Sequence, residues 1–275
     1  RSVMTNLPDI DAVAAVIREA AQTEAMPRFQ SLAAHEIKEK SPGDLVTIAD
    51  LETERALNQA LSALMPGSTM VGEEAVSENP ALLDALRGEG ACWLIDPIDG
   101  TINYANGVPL FATMVALLIG GETVGGWVYD PVHDVMVMAE KGSGAYLDGQ
   151  RTTLPEPPDM GRFSGCLHLS GYDRELAATA ARNFGAVGPL MVLHCAGLEY
   201  QMILRGRMHY ALYVWTNPWD HAPGLFILEE AGGHAARLDG SPYDVNVVKH
   251  PWPLLAAAGR EPWRQLREGL FGLPE

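Results

Sequence analysis

The first forty residues carry apolar side chains at helical spacing. Ile10, Val13 and Ile17 fall on one face of the segment 9–39, because residues three and four apart are neighbours on a helix. Pro27 interrupts the segment, since a proline has no backbone N–H to donate within a helix. The pattern therefore predicts one long helix, or two helices with a break near Pro27.

Short apolar runs follow, and their length is typical of strands rather than helices. Gly and Asp turns separate several of them, which favours antiparallel pairing. The predicted strands span residues 68–71, 91–95, 111–118, 123–129, 135–139 and 144–147, and helices are predicted at 50–64 and 80–87. We therefore expect a largely antiparallel sheet in the first half of the chain.

A proline-rich stretch, PEPPDM at 155–160, is the best candidate for a boundary between two lobes. After it come predicted strands at 162–169 and 208–214, two further strands near the end, and helices at 175–184, 196–205, 219–231 and 263–270. We expect a layered α/β protein whose lobes, residues 4–154 and 155–275, meet at a cleft and form one catalytic unit.

Composition limits the functions that such a fold could have. The 275 residues carry a formal net charge of −16, which argues against a surface that binds nucleic acid or anionic lipid. No apolar run reaches the roughly 18 to 20 residues that cross a membrane, and a signal peptide is not expected. Three widely spaced cysteines form neither a disulfide framework nor a zinc motif, so a cytoplasmic protein is predicted. An acidic protein that acts on phosphorylated molecules usually needs a metal ion to offset the repulsion.

The segment WLIDPIDGTINY, residues 93–104, combines carboxylates with a predicted helix start. An apolar strand ends at Asp96, and Asp99 follows on a turn that Gly100 can tighten. Thr101 stands at a position typical of a helix N-cap, where free backbone N–H groups attract anions. Carboxylates bind a hard cation and N–H groups bind phosphate oxygens, so this turn offers both parts of a metal–phosphate site. A capped turn with two ordinary aspartates is the plainer interpretation of this segment alone.

Acidic residues elsewhere strengthen the functional interpretation. Glu73 and Glu74 follow a predicted strand, Asp50 ends the segment DLVTIAD, and Asp220 stands at a predicted helix start. Each of these alone is weak, because an acid at a helix start is often only a cap or a dipole partner. Asp96 and Asp99 are separated by two residues, whereas the phosphoaspartate motif D-x-D-G-T has one, so that chemistry is not expected.

Four segments of the chain resemble the signatures of the inositol monophosphatase superfamily. They are DLVTIAD at 44–50, GEE at 72–74, WLIDPIDGTINY at 93–104 and WDHAPGLFILEEAGG at 219–233. Their order and separations also fit, and the resemblance spans nearly the whole chain. It implies a layered αβαβα sandwich of the sugar-phosphatase type. It also implies a Mg²⁺-dependent, Li⁺-sensitive phosphomonoesterase that hydrolyses a small polyol or sugar phosphate similar to inositol 1-phosphate.

The resemblance further implies a role for individual residues of these segments. Two or three Mg²⁺ ions per subunit would be held by Glu73, Asp96, the backbone carbonyl of Ile98, Asp99 and Asp220. Asp50 and Thr101 would orient and deprotonate the attacking water, and Glu73 would assist through a further ion. The N–H groups of Gly100 and Thr101 would bind the phosphate.

The residues expected to contact the leaving group depart from the family pattern. An acidic residue that binds a ring hydroxyl usually stands six positions before the Trp of WD, where this chain has Tyr213. Tyr213 cannot accept from a diol as a carboxylate does, and a core aromatic is an equally good interpretation. His194, Ala196 and His221 are further candidates for contact with the substrate. Histidinol phosphate, fructose 1,6-bisphosphate and 3′-phosphoadenosine 5′-phosphate therefore stay open beside inositol 1-phosphate.

A binding role is the alternative from another class of function. Some members of the superfamily act as partners in transcription or ribosome-assembly complexes, apart from catalysis. The intact acidic set argues against a purely binding role here, and the net charge disfavours direct contact with RNA. The resemblance also implies a homodimer that acts on a small phosphorylated metabolite.

Overall fold

The computed structural model of the protein describes residues 7–169 and 173–274. Within these ranges the α-helices are α1 (Ile10–Ala20), α2 (Ile48–Leu64), α3 (Glu73–Glu78), α4 (Thr101–Ala105), α5 (Arg174–Arg182), α6 (Ala196–Leu204), α7 (Pro218–Glu230) and α8 (Arg260–Gly269). The strands are β1 (Ile37–Ser41), β2 (Asp44–Thr47), β3 (Thr69–Gly72), β4 (Ala91–Asp99), β5 (Ala112–Ile119), β6 (Glu122–Asp130), β7 (Val135–Glu140), β8 (Gly144–Leu147), β9 (Gln150–Thr152), β10 (Gly165–Leu167), β11 (Leu190–Met191), β12 (Tyr210–Trp215), β13 (His234–Arg237) and β14 (Lys249–Ala257). The helix predicted at 80–87 is a 3₁₀ helix.

The first segment departs from its predicted helix. The helical run is α-helical, then π-helical, then 3₁₀, and it ends at Arg28, one residue after Pro27. β1 stands where the prediction continued the helix, and it pairs with β2 through a turn at Pro42 and Gly43. Gly43 has a φ of +83° in this turn. The helix prediction is wrong beyond Arg28 because the Pro-Gly pair specifies a hairpin turn rather than a helix.

Two sheets form the β layers of the fold. The seven-stranded sheet has the order β3-β4-β5-β6-β7-β8-β9, and its pairs are antiparallel except β3 with β4. The five-stranded sheet has the order β11-β10-β12-β14-β13, with β10 parallel to both of its neighbours. The first sheet agrees with the largely antiparallel sheet that the sequence predicts.

Helices cover and separate the two sheets. On one face of the seven-stranded sheet, α1 and α2 bury Val13, Ile17 and Leu57 against Trp93 and Trp127. Between the two sheets, α6 and α7 share one apolar core with strands of both. Beyond the five-stranded sheet, α5 and α8 pack on its outer face. The five layers run α, β, α, β, α, which confirms the predicted layered sandwich.

The two sheets occupy different parts of the chain. Strands of the first sheet end at Thr152, and those of the second begin at Gly165. The division into lobes 4–154 and 155–275 stays a prediction, because the helices of the middle layer pack against both sheets. Among the described residues, no helix combines the length and the apolar character needed to cross a membrane.

Candidate active site

Strand β4 carries two carboxylates at its buried end. Asp96 is 2% exposed and Asp99 is 9% exposed, and the pairing of β4 with β5 is irregular between them. In a regular strand, residues three apart point to opposite faces. The irregularity therefore explains how Asp99 comes close enough for its charge to raise the pKa of Asp96.

The turn after β4 requires glycine for two reasons. Gly100 has a φ of +88°, which an L-residue with a side chain rarely adopts. A Cβ at this position would lie 2.9 Å from the carbonyl oxygen of Leu110 and 3.0 Å from that of His194. Helix α4 begins at Thr101, but its N-cap residue is Gly100, so the N-cap predicted for Thr101 lies one residue earlier.

The side chain of Thr101 joins the β4 turn to the start of α2. Its Oγ1 lies 3.0 Å from Asp50 Oδ1 and 2.9 Å from the carbonyl oxygen of Ile98. Asp50 Oδ2 accepts from the backbone N–H of Thr47 at 2.8 Å and from its hydroxyl at 2.6 Å, so Asp50 also caps α2. Burial raises the pKa of Asp50 to about 7, against the lowering effect of the Thr47 hydrogen bond.

The clustered carboxylates raise one another's pKa values. Burial raises the pKa of Asp96 well above its ordinary value, and the charges of Glu73, Asp99 and Asp220 raise it further. Burial also raises the pKa of Asp99 to about 6, and it raises that of Asp220. Asp96 Oδ1 is buried without a hydrogen-bond partner among the described residues. A hard cation fits this cluster, because it would satisfy the orphaned oxygen and offset the repulsion.

A lysine that the sequence did not single out lies beside this cluster. Lys40 Nζ is 2.8 Å from Glu73 Oε1 and 3.0 Å from Glu74 Oε1. Burial works to lower the pKa of Lys40, but the two carboxylates raise it overall. Strand β1, whose first three residues fall in the segment predicted as helix, therefore supplies a positive charge to the site. Its partner β2 leads directly to the capping residue of α2, Thr47.

Glu54 on α2 holds the start of α3, where Glu73 and Glu74 stand. Its carboxylate accepts from the backbone N–H groups of Glu74 at 2.8 Å and Ala75 at 3.0 Å. A Cβ on Gly72 would lie 2.2 to 2.5 Å from atoms of this carboxylate. The glycine of GEE therefore makes room for the group that fixes the two glutamates after it.

Helices α6 and α7 bring the remaining carboxylates into place. Asp99 Oδ2 accepts from the backbone N–H of Gly197 at 2.6 Å, near the N-terminus of α6, and from Cys195 Sγ at 3.2 Å. Asp220 lies in the first turn of α7, and Asn217 Nδ2 donates to its Oδ2 at 3.1 Å. The residues predicted as metal ligands thus come from β4, α3 and α7.

A cleft of about 290 Å³ opens beside these carboxylates. Six of the predicted site residues line it, namely Asp99, His194, Ala196, Tyr213, Asp220 and His221. His194 has a φ of +54°, an uncommon value for a residue with a side chain. Ala196 contributes only a methyl group. The volume is at the small end for ligand sites and suits a small metabolite.

The two buried aromatic candidates already have hydrogen-bond partners. His221 is 2% exposed, with Nδ1 2.9 Å from the Tyr200 hydroxyl and Nε2 3.1 Å from the carbonyl oxygen of Trp215. Burial lowers the pKa of His221 to about 3, so its ring is neutral and offers no free nitrogen to a ligand. The Tyr213 hydroxyl donates to Glu199 Oε2 at 2.8 Å. Tyr213 is therefore both a core aromatic and part of the cleft wall.

The comparison with known families decides the assignment. The family model described as "Inositol monophosphatase family" matches residues 7–269, which is nearly the whole chain. The chain belongs to this family. Its members generally depend on metal ions, in agreement with the carboxylate cluster.

Individual relatives support the assignment to the inositol monophosphatase family. A fructose-1,6-bisphosphatase/inositol-1-monophosphatase of Aquifex aeolicus is 31% identical over 249 residues, which cover 89% of this chain and 91% of the relative. An inositol-1-monophosphatase of Bacillus subtilis is 31% identical, with 87% and 89% covered. The solved structure of an IMPase of Thermotoga maritima is 26% identical, has a TM-score of 0.75, and covers 90% of this chain and 91% of its own. The predicted family and the predicted class of enzyme, a phosphatase, are confirmed.

Some residues of this family member were not predicted from its sequence. Besides Lys40 and Glu54, they include His168 and Glu199, which form an ion pair beside the cleft. One signal was present: Glu199 is a lone acid within the apolar run AGLEYQMIL. An acid in such a run is rarely buried without a partner, so a buried partner could have been expected.

Proposed function

We propose that this chain is a Mg²⁺-dependent phosphomonoesterase that hydrolyses a small polyol or sugar phosphate. The observation that carries the proposal is the buried Asp96 Oδ1, which has no hydrogen-bond partner within residues 7–169 and 173–274 and lies among like charges. The Asp50–Thr101 pair belongs to the same site. The named activities of the Aquifex aeolicus and Bacillus subtilis relatives, on fructose 1,6-bisphosphate and inositol 1-phosphate, support the substrate class.

The proposed metal site uses the residues that the family resemblance implies. Two or three Mg²⁺ ions would be held by Glu73, Asp96, the carbonyl of Ile98, Asp99 and Asp220. When bound, magnesium supplies the positive charge that offsets the phosphate, acidifies the attacking water and stabilises the leaving alkoxide. Oxygen ligands of this kind suit Mg²⁺ rather than softer metals. Inhibition by Li⁺ is part of the same proposal.

Asp50 and Thr101 are the proposed pair that handles the proton of the attacking water. The Thr101 hydroxyl can accept a hydrogen bond from water while it donates to Asp50 Oδ1, which lies 3.0 Å away. Without metal, burial raises the pKa of Asp50 to about 7, and a nearby cation would favour the ionised form that a general base needs. The N–H groups of Gly100 and Thr101 are the proposed phosphate contacts at the start of α4, since amide donors there favour an anion.

The test is phosphate release from a panel of four compounds. They are inositol 1-phosphate, histidinol phosphate, fructose 1,6-bisphosphate and 3′-phosphoadenosine 5′-phosphate, each with Mg²⁺, with excess EDTA and with Mg²⁺ plus Li⁺. We expect release from at least one compound that requires Mg²⁺ and falls with Li⁺. Strong turnover in EDTA would contradict the metal mechanism. No release from any compound would favour the binding role in a larger complex.

The two-lobed organisation and the homodimer are also proposals. The lobes follow from the proline-rich boundary and the position of the two sheets along the chain, and the homodimer follows from the resemblance alone. Light scattering at several protein concentrations tests the dimer, and a mass of one chain throughout would contradict it.

A further inference from the structure

One wall of the cleft carries a histidine–glutamate pair that the proposed mechanism does not use. Glu199 is fully buried, and His168 Nε2 lies 3.0 Å from both of its oxygens. Glu199 Oε1 also accepts from Cys166 Sγ at 3.0 Å and from the N–H of Leu193 at 3.3 Å. Its Oε2 accepts from the Tyr213 hydroxyl at 2.8 Å. Four groups therefore donate to this carboxylate, and no ligand can reach it.

The pair presents positive charge to the cleft and conceals negative charge. Burial works to lower the pKa of His168, but the hydrogen bond and charge of Glu199 raise it overall. The pKa of Glu199 is lowered, because its hydrogen bonds outweigh the effect of burial. The His168 ring lines the cleft, keeps a quarter of its side-chain surface exposed and stacks on Tyr213 at 5.3 Å. Its Nδ1 has no hydrogen-bond partner among the described residues, so it remains available to a ligand.

The rest of this wall, as far as the structure describes it, offers aromatic surface and polar groups that are already engaged within the protein. The His221 nitrogens are both engaged, and the Tyr213 hydroxyl is committed to Glu199. Trp215 is 51% exposed at the cleft, and Lys249 Nζ lies 4.9 Å from the centre of its ring. Apart from the proposed metal ligands Asp99 and Asp220, no described residue of the cleft offers a free carboxylate to accept from the hydroxyls of a neutral polyol. An anionic group finds the imidazolium of His168, with the ammonium of Lys249 behind Trp215.

A metal ion is the competing explanation for the cluster of Cys166, His168 and Glu199. Their ligand atoms lie within 4.8 Å of one another, which is compatible with one cation. The Glu199 carboxylate, however, already has three hydrogen-bond contacts on Oε1 and two on Oε2, with the bifurcated contact of His168 counted on both oxygens, so it needs no cation. Asp96, by contrast, has an oxygen without any partner among the described residues. The ion pair is therefore the favoured interpretation.

We propose that this wall binds an anionic group, a phosphate or a carboxylate, on the leaving group of the substrate. His168 makes the contact, and Glu199 is a positioning residue that fixes the ring and its charge. The inference rests on the proposed phosphatase function and narrows its substrate class to phosphomonoesters that carry a second anionic group.

The experiment compares pairs of substrates that differ only in that second group. Fructose 1,6-bisphosphate is paired with fructose 1-phosphate, and 3-phosphoglycerate with glycerol 3-phosphate, all with Mg²⁺. We expect the wild-type enzyme to show at least tenfold higher kcat/KM for the doubly anionic member of one pair. Such a preference is on the order of that given by one charge-assisted hydrogen bond.

His168→Gln keeps an amide donor towards Glu199 but removes the charge, and it should reduce the preference for the doubly anionic substrate about tenfold. Glu199→Gln should raise KM for the same substrate more than it lowers kcat.

The matched control is His133→Gln, because His133 also pairs with a carboxylate, Asp130 at 2.8 Å, but is largely exposed and does not line the cleft. The His133→Gln substitution should leave the preference for the doubly anionic substrate unchanged.

Equal kcat/KM within both pairs for the wild type, with Mg²⁺-dependent release of phosphate, would overturn this inference and leave the phosphatase proposal intact. One equivalent of zinc in the purified enzyme, lost in Cys166→Ala, would overturn it in favour of a metal site. No release from any compound would instead count against the phosphatase proposal itself.

Discussion

The two sides of the cleft treat buried carboxylates in opposite ways. On the metal side, burial and like charges raise the pKa of Asp96, and one of its oxygens has no partner among the described residues. On the leaving-group side, four donors surround Glu199, and its pKa is lowered. Asp96 needs a ligand from solution for its second oxygen, whereas the protein itself supplies all the hydrogen-bond donors that Glu199 needs. A buried carboxylate oxygen without a hydrogen-bond partner therefore indicates a cation site. A buried carboxylate whose oxygens are all hydrogen-bonded indicates instead a group that orients its neighbours.

The largest expected effect comes from Asp96→Asn. The substitution changes a proposed carboxylate ligand of the Mg²⁺ site, so we expect kcat/KM to fall by at least about 100-fold, since even changes to groups that only contact the ligands cost 10- to 100-fold. Without metal, the variant should unfold at a temperature equal to or above that of the wild type, because one repelling charge is gone. Phosphate release and thermal unfolding in EDTA measure the two effects. A variant that keeps most of its rate would remove Asp96 from the metal site.

The second prediction concerns Gly100. This residue forms the turn between the end of β4, which carries Asp96 and Asp99, and the start of α4, whose N–H groups are the proposed phosphate contacts. Gly100→Ala adds both a disfavoured φ and a close approach to two carbonyl oxygens, so we expect a loss of about 2–4 kcal/mol in the free energy of unfolding. Gly67→Ala is the matched control, because Gly67 has the same φ of +88° but nothing within 4 Å of its added Cβ. That control should lose only about 1 kcal/mol. Urea unfolding of both variants measures the difference, and equal losses would mean that the carbonyl contacts are unimportant.

A third prediction uses pH to examine the leaving-group side. The pKa of His168 is raised above its ordinary value of 6.5, so its pairing stabilises the fold fully below that value and is lost as pH rises through the raised pKa. The pKa of Glu199 is lowered from 4.5, so its contribution is present above 4.5 and is lost as pH falls through the lowered value. The stability gap between wild type and His168→Gln should therefore be widest between about pH 4.5 and 6.5 and should narrow at alkaline pH.

Urea unfolding at pH 5.5, 7 and 9 measures this gap. His133→Gln again serves as the comparison, because the His133 ring is largely exposed to solvent, which limits the contribution of its pair with Asp130 to about 0–1 kcal/mol. A gap for His168→Gln that does not change with pH would mean that packing, rather than charge, explains the role of the ring.

The smallest expected effect belongs to Lys40. Its ammonium occupies Glu73, a proposed metal ligand, so Lys40→Met should tighten Mg²⁺ binding about fivefold, or about 1 kcal/mol. Isothermal titration of the protein with Mg²⁺ measures the change directly and does not depend on turnover. Arg55→Met, on the exposed part of α2, is the control for removal of one positive charge, and its effect should be smaller. Weaker binding in Lys40→Met would show that the lysine organises the glutamates rather than competing for them.

The candidate residues of the metal side could be picked out from the sequence because they lie in short local segments. Asp96 lies near the end of β4, and Gly100 and Thr101 follow that strand directly, so their spacing indicates a strand end followed by a helix start, although the strand continues to Asp99 rather than ending at Asp96. Asp50 is likewise fixed by its own helix start. The structure brings these residues to one place, and their roles as ligands and base stay predictions that the experiments above address.

The leaving-group side could not be predicted in the same way. His168 and Glu199 are 31 residues apart, and Lys40 and Glu73 are 33 apart, so no local pattern links either pair. The sequence drew attention to Tyr213 at the position of an acid, but the buried acid that its hydroxyl contacts, Glu199, comes from α6 in the next layer. The β1–β2 hairpin was missed because helical spacing was extended past Pro27. Such pairings depend on how layers stack, which periodicity does not encode.

Helix α6 connects the cation side of the cleft to the leaving-group side. Its first turn holds Asp99 through the N–H of Gly197, and two residues later Glu199 holds His168 and Tyr213. One helix of nine residues thus contacts both the cation side and the leaving-group side of the cleft. If α6 shifts when either ligand binds, the two affinities are thermodynamically linked, and each ligand must change the other's dissociation constant by the same factor. The apparent Mg²⁺ requirement of this enzyme would then depend on which leaving group occupies the cleft.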